Sequence, residues 1–335
     1  MNMKLEQEIY VGLDTHRNTI HGTAMNKKGE VIRSDNFSND KETLQDFMKD
    51  FPTWNTVIAI EACNFWRGCY KILTEKGFKV KLANPVTCHK IAHEKKTDKV
   101  DSKILADLSR VNYLPEVYIP SDEICELRDL TRHKMNFTRF KVRIQNKIKS
   151  CLSRNGISYK DELWTKDGIC WLNEQKSDEI NSLLKLYETI KTEEEAIKQK
   201  IEKVSSAKKE TSLLETIPGI GYFGATLIYA EIGNIERFPT VKHLHAYAGA
   251  APGIYQSGTK TRMPTRKSVN YWLKWITMQC AGRLTLKNTK PNKLRNYYFK
   301  VRDKKGWKTA RKATARKLLT VIWYILHEEK PYRES

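Results

Sequence analysis

The stretch that decides the fold at the start of the chain is IYVGLDTHRNTIHGTAMNKKGEVI, residues 9–32. Apolar and polar residues alternate along it around a KKG turn, which is typical of a β-hairpin with one buried face. Two further β-rich runs follow, TVIAIEA at 56–62 and FKVKLAN at 78–84. Helical patterns at 40–50 and 66–76 separate these runs. Such alternation of strands and helices predicts an α/β domain at the N-terminus.

The pattern becomes helical after this domain. Residues 122–210 contain few glycines, many charges and apolar residues at helical spacing. One near-heptad stripe is interrupted by Glu193 and Glu194 and consists of Leu183, Leu186, Ile190, Ile197, Ile201 and Val204. It is consistent with a helical hairpin or a short dimerising coiled coil, and equally with one long amphipathic helix packed on its own domain. A composition change near residue 211 completes the predicted division into 1–121 (α/β), 122–210 (helical and coiled-coil) and 211–335 (mostly helical).

The charge of the chain points to a polyanionic partner. Sixty Lys and Arg residues against 39 Asp and Glu give a formal net charge of +21. Neutralised phosphates release condensed counterions, so nucleic acid is the first partner to expect. A membrane surface is the alternative, but no apolar run approaches the ~20 residues of a spanning helix, and we expect no membrane partner. No secretion signal is recognisable at the start, and we expect a cytoplasmic protein.

Four acidic residues lie where metal-dependent phosphodiester chemistry would need them. Asp14 and Glu61 each end an apolar strand, in YVGLDTH and VIAIEAC. Asp98 and Asp101 lie three residues apart in KKTDKVDSKILADL, on one face of a predicted helix. Converging carboxylates repel each other unless a cation lies between them, and Mg²⁺ or Mn²⁺ prefers such oxygen ligands. The order Asp, Glu, Asp, Asp therefore predicts a ribonuclease-H-like domain that binds a divalent metal.

The successive segments VGLDTH, AIEACNFW, KLANP and KKTDKVDSKILADL resemble the DEDD domain of bacterial transposases of the insertion sequence one-ten family. This family includes the Piv-type DNA invertases, and its DEDD domain is similar to the RuvC Holliday-junction resolvase. The resemblance implies a RuvC-like fold and assigns the four metal-binding acids to Asp14, Glu61, Asp98 and Asp101.

The second half of the chain resembles the serine transposase domain of the same family. IPGIG, residues 217–221, predicts a helix-hairpin-helix turn in which Gly219 and Gly221 let backbone N–H groups approach a phosphate. RFPTVKHLHAYAGAAPGIYQSGTKTR follows, and the family pattern places its catalytic serine at Ser257. A serine hydroxyl can form a covalent phosphoserine link to DNA when nearby groups stabilise charge. Four basic residues close in sequence could clamp that phosphate: Lys260, Arg262, Arg266 and Lys267.

The chain departs from the family pattern just beyond the serine. Family members carry Lys-x-Gly-Asn ahead of a Leu-Arg pair, whereas this chain reads RKSVNYWLKW. Asn270 and Leu273 are kept, but Val269 stands in the place of the glycine and Lys274 in the place of the arginine. The effect of these two departures on activity is open at this point.

The resemblance also implies partners. Similar proteins are recombinases guided by a noncoding bridge RNA that pairs with donor and target double-stranded DNA, and they act as dimers that assemble into tetramers on the nucleoid. The stretch LRDLTRHKMNFTRFKVRIQNKIK suits an RNA backbone through Arg128, Arg132, Arg139, Lys141, Arg143 and Lys147. Two other functions remain open from the residues: a metal-dependent nuclease or junction resolvase that uses water, and a nucleic-acid-binding protein without catalysis.

Overall fold

A computed structural model describes residues 8–92, 97–175, 177–251, 255–257, 260–262 and 269–334, with the backbone alone at 92, 255–257 and 260–262. The chain divides into two compact units, Met1–Ile119 and Pro120–Ser335. The first is an α/β unit and the second is mainly helical. This confirms the predicted class of an N-terminal α/β domain followed by helical structure.

The first unit is built on a mixed five-stranded sheet in the order β3-β2-β1-β4-β5. The strands are β1 (Ile9–Thr15), β2 (Thr19–Asn26), β3 (Val31–Ser38), β4 (Thr56–Glu61) and β5 (Lys79–Ala83). The three N-terminal strands pair antiparallel, whereas β1 with β4 and β4 with β5 pair parallel. Parallel neighbours end at the same edge, so β1 and β4 bring their carboxyl ends together.

Helices cover both faces of this sheet. They are α1 (Lys41–Met48), α2 (Trp66–Glu75), α3 (Pro85–Ala92) and α4 (Asp98–Arg110). Leu44 of α1 and Leu73 of α2 belong to the core that contains Val11 and Leu13 of β1. Leu105 of α4 belongs to the other core, formed on the opposite face. The sheet therefore has both faces covered, as its apolar strands require.

Two long helices open the second unit. They are α5 (Asp122–Arg154) and α7 (Asp178–Ser206), with the short α6 (Lys166–Glu174) between them. Thr138 of α5 donates to Glu194 of α7, and Arg154 pairs with Glu179, so the two helices run antiparallel as a hairpin within the chain. Of the predicted stripe, Ile197 and Ile201 are buried, while Leu186 is 53% exposed.

Four shorter helices and one long one follow in this unit: α8 (Lys209–Glu215), α9 (Tyr222–Ile232), α10 (Val241–Tyr247), α11 (Tyr271–Arg283) and the long α12 (Lys293–Glu328). Both α5 and α7 pack on α9, which is buried along nearly its whole length. A division of the unit at residue 210 stays a prediction. Helix α12 is kinked at Gly306, whose φ is 77°. Two short strands, β6 (Tyr255–Ser257) and β7 (Lys260–Arg262), pair antiparallel.

Candidate functional site

The strand register places Asp14 and Glu61 on one face of the sheet. Gly12 pairs with Ala59 and Leu13 with Ile60 across the parallel β1–β4 ladder. Side chains alternate along a strand, so Asp14 shares the face of Gly12, and Glu61 shares the face of Ala59. This is the face that α4 covers, and the two acids stand at its carboxyl edge.

Helix α4 brings its acids to the same edge because it lies unusually close to β1. A Cβ built on Gly12 would stand 2.0 Å from the backbone oxygen of Ser102, so only glycine permits this approach. The helix begins after Thr97, whose hydroxyl accepts a hydrogen bond from the Val100 N–H at 3.3 Å. Its first turn contains both Asp98 and Asp101.

A histidine joins the acids that the sequence singled out. His16 Nε2 lies 3.3 Å from Asp14 Oδ2 and 3.4 Å from Asp98 Oδ1. The three side chains each offer a ligand atom within 4.8 Å of the others. Sequence reasoning missed His16, although its place two residues after Asp14, where the strand ends, was visible in VGLDTH.

The electrostatics of this cluster favour a bound cation. Burial raises the pKa of the Asp14 carboxyl, His16 lowers it, and the charges of Asp101 and Asp98 raise it further. Ionised Asp14 is therefore a buried carboxylate, 6% exposed, beside two more carboxylates. A divalent cation would relieve both the burial and the repulsion, and the carboxylate oxygens are the ligands that Mg²⁺ or Mn²⁺ prefers. The residues present fit a divalent metal.

Glu61 and Asp101 line a cavity of about 380 Å³ on the α3–α4 side of the sheet. Cys88 lines the same cavity, and burial together with the nearby Glu61 charge raises the pKa of its thiol to about 11. His89 also lines it and is exposed. The four predicted acids thus lie in two neighbouring sets: Asp14 and Asp98 around His16, and Glu61 and Asp101 in the cavity.

A polar network holds α4 on the sheet behind the acids. His21 Nδ1 lies 3.0 Å from the Ser102 hydroxyl, which is 2.8 Å from the Thr23 hydroxyl. Burial lowers the pKa of His21, and the nearby Asp98 and Asp14 charges oppose that shift. His21 is the β2 partner of Asp14 in the antiparallel ladder, so this network lies next to the cluster.

Ser257 is the last residue of β6, and its backbone pairs with Lys260 of β7. Lys260 and Arg262 therefore lie on the strand opposite the serine. Arg266 and Lys267 lie outside the described residues, as do the side chains of this segment.

The IPGIG turn joins α8 to α9, as the sequence predicts. Gly219 has a φ of +87°, and a Cβ there would stand 3.0 Å from the backbone oxygen of Cys280. Gly221 is the N-cap of α9 and is exposed. Ile217 and Ile220 are buried, which anchors the turn in the core.

The six basic residues of α5 that were predicted to bind RNA differ in their surroundings. Arg132 donates two hydrogen bonds to the Glu231 carboxylate, at 2.8 and 2.9 Å, and Arg128 donates to the backbone oxygens of Ala230 and Glu231. Lys141 pairs with the buried Glu194. The remaining three, Arg139, Arg143 and Lys147, are exposed.

Two models of one protein family match the chain. Residues 11–156 match a DEDD domain model of IS110 that is described as "Transposase". Residues 211–299 match the model described as "Transposase IS116/IS110/IS902 family". Together the two matches cover more than half of the chain.

Curated relatives extend along most of the chain. The transposase for insertion sequence element IS1111A of Coxiella burnetii is 23% identical over 82% of this chain and 79% of its own length. The pilin gene-inverting protein of Moraxella bovis is 25% identical over 96% of this chain and 97% of its own length. The transposase for insertion sequence element IS1328 of Yersinia enterocolitica is 22% identical over 81% of this chain and 82% of its own length.

These matches define an enzyme that acts on DNA strands. The chain belongs to the insertion sequence one-ten (IS110) family of transposases. Its DEDD domain and acidic cluster indicate a divalent-metal site. None of the helices in the described part of the chain carries an apolar stretch of membrane-spanning length.

Proposed function

We propose that the protein is an RNA-guided DNA recombinase that cuts and rejoins strands through a covalent link to Ser257, assisted by Mg²⁺ or Mn²⁺ at Asp14, Glu61, Asp98 and Asp101. The observation that carries the metal half of this proposal is the convergence of Asp14, His16 and Asp98 within 4.8 Å at the edge of the sheet. The serine half rests on the resemblance of RFPTVKHLHAYAGAAPGIYQSGTKTR to the family pattern, which implies a catalytic serine at Ser257.

The order and directions of the five strands support a RuvC-like, ribonuclease-H-like domain. In such a site the carboxylates would hold the metal, and His16 adds an imidazole between two of them. The bound metal would neutralise charge that develops on the phosphate. The flanking His21–Ser102–Thr23 network keeps α4 and its two acids in position.

The serine step can be written with its atoms balanced. A bond forms between Ser257 Oγ and the phosphorus of the scissile phosphodiester, and the bond from phosphorus to the departing DNA oxygen breaks. The serine proton ends on that departing hydroxyl. Attack by the hydroxyl of a second strand reverses the step and joins new partners. Lys260, Arg262, Arg266 and Lys267 would clamp the phosphate, as their charge suits it.

The partners follow from the family and from the charge of the chain. Donor and target double-stranded DNA are the substrates, a noncoding guide RNA selects them, and homodimers assemble into tetramers. The exposed side chains of Arg139, Arg143 and Lys147 suit an RNA backbone. The glycine turn at Gly219 and Gly221 would contact DNA phosphate in the manner of a helix-hairpin-helix. We expect the enzyme to work in the cytoplasm on nucleoid DNA.

Covalent trapping tests the proposal. Purified protein, Mg²⁺, RNA transcribed from the flank of the element and end-labelled DNA are combined and run on a denaturing gel. We expect a protein–DNA adduct that Ser257→Ala and Asp14→Asn both abolish and that Ser153→Ala, at an exposed serine of α5, leaves unchanged.

Other patterns would point to the alternatives. Cleavage that survives Ser257→Ala but stops in Asp14→Asn would show a water-using nuclease or resolvase. Binding of DNA without any broken strand would show a binding protein. Loss of the adduct on omitting the RNA, with recovery on adding it back, tests guidance separately.

A further inference from the structure

The residues on either side of the Ser257 segment, Ala250 and Asn270, both contact the C-terminal turn of α10. At its start, the Ala250 N–H donates to the His245 oxygen at 2.8 Å. At its end, the Asn270 N–H donates to the Tyr247 oxygen at 2.8 Å. Ala250 and Asn270 flank residues 251–269, so the contacts that hold these two residues beside α10 also fix the two ends of the Ser257 segment.

The side chain of Asn270 joins the end of the Ser257 segment to a buried carboxylate, that of Glu231. Its Oδ1 accepts from the Leu273 N–H at 2.8 Å and so caps α11. Its Nδ2 donates to Glu231 Oε2 at 2.7 Å and to the Tyr247 hydroxyl at 2.9 Å. Asn270 thus does two separable things: one amide atom starts a helix, and the other binds Glu231.

Glu231 is fully buried and is held by α5. Its carboxylate accepts two hydrogen bonds from the Arg132 guanidinium and one from Asn270. A buried ion pair is expensive to desolvate, and well-packed apolar side chains at the same place would stabilise the fold as well or better. What the ion pair adds is direction, since the bidentate guanidinium fixes the carboxylate plane and the carboxylate fixes Asn270.

The same helix also contacts the two residues after Asn270. The Arg139 guanidinium lies 4.6 Å from the Trp272 ring centre and 5.6 Å from that of Tyr271. Arg139 lies one turn before Arg143, an exposed base of α5. Helix α5 therefore holds the end of the Ser257 segment at two places: through Arg132, which binds Glu231, and through Arg139.

We infer that Glu231 and Asn270 are positioning residues for the strand-transfer step: they hold the end of the Ser257 segment on α5 and so determine where the serine meets its phosphate. This inference rests on the proposed role of Ser257. Neither residue is proposed to touch DNA.

The decisive variant separates the two roles of Asn270. Asn270→Ser keeps a side-chain oxygen that can cap α11, because serine is a good N-cap, but loses the amide that reaches Glu231. We expect the single-turnover rate constant for adduct formation to fall about 10- to 100-fold, as small misplacements of reacting groups do. The affinity for DNA and guide RNA should stay within about twofold.

The matched control is Asn292→Ser. Asn292 caps α12 through Oδ1, with the Arg295 N–H at 2.8 Å, and its Nδ2 donates to the Lys290 oxygen. The same substitution there changes a helix cap in the same unit without changing the contacts at the ends of the Ser257 segment. We expect its rate constant to match that of the unmodified protein.

A charge-conserving exchange gives a rescue test. Glu231→Gln and Asn270→Asp, each alone, should slow adduct formation, because the glutamine has a single oxygen for both Arg132 and Asn270, and the aspartate faces the Glu231 carboxylate. The double variant restores one donor and one acceptor with the direction reversed, so its rate constant should recover at least about threefold over the slower single variant. A rate constant, unlike a yield, is independent of the folded fraction, so a purely structural role would not produce this pattern.

The outcomes separate the inference from the proposed function. If the unmodified protein forms no Ser257-dependent adduct, the proposed function fails and the inference fails with it. If the adduct forms and Asn270→Ser has the rate constant of Asn292→Ser, the inference alone is overturned. If the double variant is no faster than the slower single variant, the contact between Glu231 and Asn270 does not position the serine.

Discussion

Gly12 of β1 lies directly beneath Ser102 of α4, with 2.0 Å between an added Cβ and the Ser102 backbone oxygen. This contact sets the distance between the strand that contains Asp14 and the helix that contains Asp98 and Asp101. The acidic cluster therefore depends on a residue without a side chain.

Gly12→Ala should push α4 away from the sheet. Because the contact is with backbone atoms, we expect a loss of about 3 kcal/mol in the free energy of unfolding, at the upper end of overpacking costs. Mn²⁺ affinity, followed by the Mn²⁺ paramagnetic resonance signal, should fall in the protein that remains folded. Gly68→Ala is the control, since nothing lies within 4 Å of a Cβ in that exposed helical position. There we expect a gain of about 0.5–1 kcal/mol. Equal effects at both positions would contradict the role of the close approach.

Substitution should divide the basic residues of α5 into those that stabilise the fold and those that bind RNA. Arg132→Ala leaves the buried Glu231 charge without its main partner, so we expect a loss of about 3–5 kcal/mol in urea unfolding. Arg143→Ala and Lys147→Ala, at exposed positions, should change stability by less than about 0.5 kcal/mol. Each should instead lower the slope of log affinity for RNA against log salt by about one. An unchanged salt slope in the double variant would remove this face of α5 from the RNA site.

Val269, the departure from the family glycine, packs on Gly249. Gly249 has a φ of +66°, and a Cβ there would stand 3.0 Å from Val269 Cγ1. Gly249→Ala should cost about 1–2 kcal/mol for the left-handed backbone and more for the contact. Gly156→Ala measures the backbone cost alone, because Gly156 has the same φ with nothing within 4 Å. We expect Val269→Gly to recover at least about 0.5 kcal/mol of the Gly249→Ala loss in a double-mutant cycle. An additive cycle would show that the two residues do not interact.

His245 should make stability depend on pH. Burial and the nearby Arg316 charge lower its pKa below the usual histidine value of 6.5, and its Nε2 lies 3.1 Å from the Thr320 hydroxyl. The unfolded chain then takes up a proton at a pH where the folded protein does not. This contribution to stability is complete above pH 6.5 and declines as pH falls towards the lowered pKa of the folded state. His245→Gln should therefore lose less stability than the unmodified protein between about pH 7.5 and about pH 5.5 in urea titrations. Parallel losses in the two proteins would assign the pH dependence to other groups.

Much of the fold was predictable because its signals are local. Alternation along residues 9–32 and the apolar runs ending at Glu61 and Ala83 correspond to strands, and the spacing of Asp98 and Asp101 corresponds to one helical turn. His16 was not predicted because its place between Asp14 and Asp98 depends on the packing of α4, which lies more than 80 residues further along the chain. The charge on α5 was predictable, but its division into internal and exposed bases was not.

The sequence by itself determined the pattern of strands and helices and the placement of Asp14 and Glu61 at strand ends, because a period of two or 3.6 needs only neighbouring residues. The tertiary structure alone decided which charges face inward. Arg132 and Arg143 belong to the same basic stretch of the sequence, yet Arg132 meets a carboxylate 99 residues further along the chain and Arg143 meets solvent. A charge enters the interior only where folding brings a partner to it, since its desolvation must be offset there.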